Sequence, residues 1–210
     1  MGNSSVTTTS PAGPVVRTPI DRLAVALTEV LAPAHIVIAI TLASGLATSG
    51  SWASRLAWGV AASLFTGIIP YTVGLRAIAR GKLSSRHLPN RTERIRPMAW
   101  TIVSVLTGWL LLLVAHAPAE VLAVQVAMVS GAVTALAITL VWKISLHTGV
   151  AAAASVCACV LFGWALAPLW IVLAAAAAWS RVHLRDHTVA QVTAGLVIGA
   201  LSAWPIFVIL

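Results

Sequence analysis

The chain has 210 residues, 60% of them hydrophobic and only 9% charged, with a formal net charge of +8 and a mean hydropathy of +0.98. Several apolar runs approach or exceed about 18 residues, the length at which a helix can cross a bilayer, which excludes a soluble domain and predicts an all-α, polytopic transmembrane bundle. A β-barrel is excluded because runs such as VLTGWLLLLVA do not alternate in polarity, and no nucleic acid partner is expected because the basic residues gather in one loop.

Residues 1–19, rich in Ser, Thr, Pro and Gly, read as a disordered tail, which leaves 20–210 as a single transmembrane domain. No cleavable leader is expected, since the first apolar run lies beyond the tail, is too long for a leader core and lacks a small-residue cleavage pattern. That run extends from about Leu23 to Ala47, with Glu29 and His35 on either side of Pro33, and a second from about Ala57 to Gly74 completes a helical hairpin. A carboxylate such as Glu29 inside an apolar run is expected to face the bundle or a wet cavity.

A polar loop from Arg76 to Pro97 follows, with Arg76, Arg80, Lys82, Arg86, Arg91, Arg94 and Arg96 set against a single Glu93. Further runs extend over about Met98 to His116, Val121 to Trp142, Gly149 to Trp164, Pro168 to Ala178 and Val189 to Leu210, for about six to seven spans in all. Cys157 and Cys159, two apart in an apolar run, point to different faces and are read as packing residues. Gly195 and Gly199, four apart, predict a close helix neighbour.

Counting crossings places the basic loop, the WKISLHT stretch (Trp142–Thr148) and the WSRVHLRDH stretch (Trp179–His187) at one end of the bundle. Of the basic residues only Arg55 falls at the other end, so the positive-inside rule predicts a plasma membrane protein with the polar clusters facing the cytoplasm. Ionisable groups at bilayer depth are costly unless they pair or work, and a basic cluster at this level suits the phosphate of a membrane lipid. Cleaving a phosphate without a metal needs cations on the non-bridging oxygens, a nucleophile and an acid for the leaving oxygen. Arg181 and Lys143, with Arg91, Arg94 or Arg96, supply the charge, Ser145 a hydroxyl donor, and two of the histidines the nucleophile and the acid.

Ser180-Arg181, five residues, His187, three residues and Gln191 resemble the third signature of the phosphatidic acid phosphatase type 2 superfamily, Ser-Arg-x5-His-x3-Asp. Ser145-Leu146-His147 resembles its second, Pro-Ser-Gly-His, and Arg96-Pro97 the end of its first, Lys-x6-Arg-Pro. The resemblance covers roughly Arg76 to Gly199 and implies a metal-independent reaction with no cofactor. In it His187 attacks phosphorus to form a phosphohistidine, and His147 protonates the leaving oxygen and then activates water. Arg181, Ser145 and a basic-loop arginine hold the phosphate, and the substrate is an isoprenoid or glycerolipid phosphate. The chain departs from the signatures at Gln191, where the family has the acid that orients its nucleophile, at Ile144 and Leu146, and at Pro89, where it has lysine. Arg91, Arg94 and Lys143 are the available replacements for that lysine. These departures leave two alternatives: an isoprenoid-diphosphate cyclase or transferase, and a lipid-phosphate binder without turnover.

His183, His187 and Gln191 at i, i+4 and i+8 would share one helical face, but imidazole plus amide is a poor metal ligand set. Asp186 is read as a cap of the last helix, with pairing to Arg181 or Arg185 as the alternative. His87 and His116 are read as loop or interface residues.

Overall fold

The computed structural model describes residues 18–83 and 91–210, the Arg91 side chain excepted. The expected tail up to residue 17, and Arg86, His87 and Pro89, lie outside the described residues. Every regular element among the described residues is helical: α1 (Pro19–Val30), α2 (Pro33–Ala47), α3 (Trp52–Ser63), α4 (Ile69–Ala79), α5 (Arg91–Val114), α6 (Ala119–Val141), α7 (Leu146–Phe162), α8 (Ala167–His183), α9 (Val189–Ser202) and α10 (Pro205–Ile209). Five stretches are long and apolar enough to cross a membrane, or six if the bent α1–α2 pair is one span. The fifth predicted run, α7, has 17 residues and is the shorter apolar helix. The chain is thus an integral membrane protein by the length and apolarity of its helices.

The first predicted run is two helices rather than one. Thr18 opens α1 with a capping box, its Oγ1 accepting from the Asp21 amide at 3.1 Å while Asp21 accepts from the Thr18 amide at 2.9 Å; Thr18 and Pro19 therefore belong to the helix and not to the tail. A 46° bend separates α1 from α2, because Pro33 has no N–H to donate and disfavours helical geometry at Ala32. α3 and α4 run on through a π turn at Leu64–Ile68, just before Pro70, making one 28-residue span from Trp52 to Ala79. The polar loop is shorter than expected, since α4 continues to Ala79 and α5 begins at Arg91.

α7 occupies the middle of the bundle. Its Ala151, Ala152, Ala153, Ala154, Cys157 and Ala158 are all buried, so short side chains let α2, α8 and α9 approach it closely. Gly199 and Gly195 face its first turns, where a Cβ on Gly199 would collide with the Gly149 carbonyl and one on Gly195 would lie 2.7 Å from the Ser145 carbonyl. Cys157 and Cys159 are buried and unbonded to each other, in packing positions. Exposed Trp100, Trp142 and Trp179 lie toward the end that carries the polar clusters and exposed Trp52, Trp164 and Trp204 toward the other, as two interfacial belts would.

Candidate functional site

The three polar stretches meet at one end of the bundle, as the crossing count requires. α8 ends at His183, and Arg185 adopts φ +57, the left-handed conformation that closes a helix and turns the chain back. The amides of Asp186 and His187 then both donate to the Arg181 carbonyl, at 3.1 and 3.2 Å. This reversal brings the Asp186 carboxylate 3.0 Å from the buried Arg181 guanidinium. The expectation that Asp186 caps the last helix is therefore corrected. Thr188 is the cap, accepting from the Gln191 amide at 3.3 Å, and Asp186 is the counter-ion of Arg181. The turn also ends the common helical face expected for His183, His187 and Gln191. His183 instead stacks on Trp179 and bonds Asp21 of α1 at 2.8 Å.

Gln191 fixes the state of His187. Its side-chain Oε1 accepts from the Thr188 amide at 3.3 Å and lies 3.0 Å from His187 Nδ1. A backbone N–H faces that amide atom, so the atom is an oxygen and His187 Nδ1 must carry the proton. The Nε2 lone pair is left unprotonated. Burial drives the imidazole pKa down to about 3; the Gln191 bond opposes this, while the charges of Arg181, Arg94 and Lys143 reinforce it. A neutral ring with a fixed tautomer is thus surrounded by cations.

Lys143 and Ser145 enter from the α6–α7 connection. Lys143 Nζ donates to the Asp186 carbonyl at 2.8 Å, and the Ser145 amide donates to the Gln191 carbonyl at 3.3 Å. Partial burial first, then the neighbouring Arg94 and Arg181, hold the Lys143 ammonium below its ordinary pKa against the pull of Asp186. Ser145 caps α7, its Oγ accepting from the Thr148 amide at 3.5 Å, and its hydroxyl hydrogen can still be donated. His147 is buried on the first turn of the same helix. From the basic stretch, Arg94 is buried at the start of α5 and donates from Nη1 to the Ile144 carbonyl at 3.2 Å.

Arg181, Lys143, Arg94, Ser145, His187 and Gln191 are therefore brought together, with His147 on the turn that Ser145 caps. Arg96, the arginine that the Arg-Pro signature singles out, is exposed and makes no described contact with the cluster; it is corrected to a surface position. The Arg91 side chain lies outside the described residues. His116 is exposed at the opposite end of α5. Of the two readings of Asp186, the pairing with Arg181 is the one the structure shows. Thr188 is a participant absent from the sequence reading, although Thr188-x-x-Gln191 is a capping-box pattern readable from spacing alone.

An apolar cavity of about 300 Å³ opens below the cluster, bounded by α2, α4, α5, α6, α7 and α9. Ile144 and Ser145 belong to its wall, which joins it to the cation site. A second apolar groove of about 440 Å³, between α2, α7 and α8, touches none of the cluster residues. No family model, curated protein or solved structure matches this chain.

Proposed function

We propose that this protein is an integral membrane phosphatase that cleaves the phosphate or diphosphate of a lipid, isoprenoid or glycerolipid, through a phosphohistidine at His187. One observation carries the proposal: the buried His187 is held by Gln191 with Nε2 unprotonated, within a ring formed by Arg94, Lys143 and Arg181. Arg94, Lys143 and Arg181 gather around the Asp186 carboxylate, with Glu29 also acting on Arg181, and the amino-terminal ends of α7 and α9 add their positive dipole ends from Ser145 and Thr188. Such a site suits an anion.

In the proposed reaction the cations hold the non-bridging oxygens and Ser145 donates its hydroxyl hydrogen to one of them. His187 Nε2 attacks phosphorus and the phosphorus–oxygen bond to the lipid breaks, while protonated His147 delivers its proton to the departing lipid oxygen. His147, now neutral, takes a proton from water, which attacks the phosphohistidine, frees inorganic phosphate and restores both rings. Net, one water is consumed and phosphate is released with a lipid alcohol, or with a lipid monophosphate when the substrate is a diphosphate. The basic residues concentrated at this end, against Arg55 at the other, favour a cytoplasmic site in the plasma membrane.

The test is phosphate release by the purified protein from prenyl phosphates and diphosphates, phosphatidic acid and phosphatidylglycerol phosphate. Release that His187→Ala abolishes supports the proposal, and equal release by both proteins removes His187 from the reaction. A second reading is favoured by Gln191, whose neutral amide cannot balance an imidazolium as a carboxylate would: the site binds lipid phosphate without turning it over. Lipid-phosphonate binding that survives His187→Ala, with no phosphate released by the wild type, would establish that reading.

A further inference from the structure

The cavity beneath the cluster has a length, a width and a floor. Its wall runs from Pro97 to Val105 on α5 and from Ser145 to Ala153 on α7, a depth of about 12 Å at roughly 1.5 Å per residue. It closes on Val105, Ala127 and Met128, all buried, with Ala127, Met128 and Ala153 continuing into the central core cluster. Its volume, about 300 Å³, is at the lower limit for small-molecule sites. That is room for one apolar chain, and a diacyl lipid would bring two.

The wall chemistry points the same way. No charged side chain lines the cavity. Of the hydroxyls that do, Thr66 donates to Gln125, Thr101 to the Pro97 carbonyl at 2.9 Å and Ser202 to the Gly199 carbonyl at 2.8 Å, while Ser145 stands at the upper end and Tyr71 on the α4 side. Below Ser145 an occupant finds a mostly apolar surface. At the upper end, Ile144 contributes to the wall while its carbonyl holds Arg94, so a phosphate on the cations would direct its substituent into the cavity.

We infer that the cavity is a chain-length gauge: it admits the single prenyl or alkyl chain of a phosphorylated lipid and stops it at the floor formed by Val105, Ala127 and Met128. The inference takes only the position of the head group from the proposed function. It makes single-chain phosphates, not diacyl glycerolipid phosphates, the substrate class.

Binding of ethyl, butyl, octyl, dodecyl and hexadecyl phosphonates to the full chain in nanodiscs tests it, because phosphonates are not hydrolysed. Affinity should rise about fourfold per methylene among the water-soluble members, as burial of each methylene requires, and stop rising or fall once the floor is reached. Ala132→Phe, which fills the half-buried wall, should move that break to a shorter chain, and Met128→Ala to a longer one. Wild-type protein photolabelled by octyl phosphonate with a terminal diazirine should carry the label at Val105, Ala127 or Met128, a result that needs no variant to fold. Label on lipid-facing residues such as Leu110, no break in affinity, or no binding at all would overturn the gauge. Phosphate release that ignores chain length would overturn the gauge and leave the phosphatase; a clear break without phosphate release would do the reverse.

Discussion

Replacing Gln191 with glutamate places a carboxylate beside the candidate nucleophile without removing either hydrogen bond that Gln191 accepts, from His187 Nδ1 and the Thr188 amide. The His187 imidazole is held at about 3 by burial and by Arg181, Arg94 and Lys143. A unit negative charge about 4 Å away contributes about 4 kcal/mol at an effective dielectric constant of roughly 20. That is about three pKa units, enough to return His187 to about 6. The assay is a pH titration of ring resonances in histidine-labelled Gln191→Glu and wild-type protein, with His187→Asn to assign the signal. If about 1.4 kcal/mol of this stabilisation reaches the transition state, phosphate release by Gln191→Glu rises tenfold. A wild-type His187 that titrates near 6.5, or a pKa that the glutamate leaves in place, would refute the reasoning.

Three further outcomes follow from the same geometry. Arg94→Met should lower phosphate release about a hundredfold or more, as loss of an oxyanion-binding group does, whereas Arg96→Met, at an exposed position, should change it less than about threefold. Gly199→Leu should force α7 away from α9, since even a Cβ there meets the Gly149 carbonyl; the expected result is a lower thermal midpoint in detergent and loss of turnover. His187 also couples stability to pH. Its folded pKa of about 3 lies below the ordinary 6.5, so between these values the unfolded chain binds a proton that the folded chain refuses. Stability is then full above about pH 6.5 and falls as pH drops toward 3, by at most about 1.4 kcal/mol per unit. Thermal midpoints of wild type and His187→Asn at pH 7.5 and 5 check this, and the variant should lose less on acidification.

Much of the architecture was legible because hydropathy runs and even crossing counts are one-dimensional properties of the chain. They located the helical stretches and gathered the basic, WKISLHT and WSRVHLRDH stretches at one end, where Lys143 now meets Asp186 and Arg94 meets Ile144. The pairing of His187 with Gln191 was legible from their spacing too, but a helical turn is not its cause: His187 precedes the cap Thr188, and Gln191 reaches back to it through the capping box. The choice between Arg94 and Arg96 was not legible. Residues two apart on a helix point nearly opposite ways, and only packing of α5 against the α6–α7 connection decides which one turns inward. The Arg181–Asp186 pair was legible only as an alternative to a cap, because the choice depends on a left-handed Arg185, a non-glycine residue that sequence gives no reason to place there. The bend between α1 and α2 had its signal in Pro33, but the run was read through it. The cavity had no signal at all, being the space that several apolar helices leave between them.

The most direct measurement is to trap the covalent intermediate. Full-length protein in nanodiscs is mixed with a prenyl phosphate carrying labelled phosphorus, quenched in alkali within the first turnover, digested and mapped by mass spectrometry. An acid-labile, alkali-stable label on the peptide containing His187, absent from His187→Ala, is the predicted result. Label on any other residue, or turnover with undiminished rate in His187→Ala, would contradict the phosphohistidine mechanism.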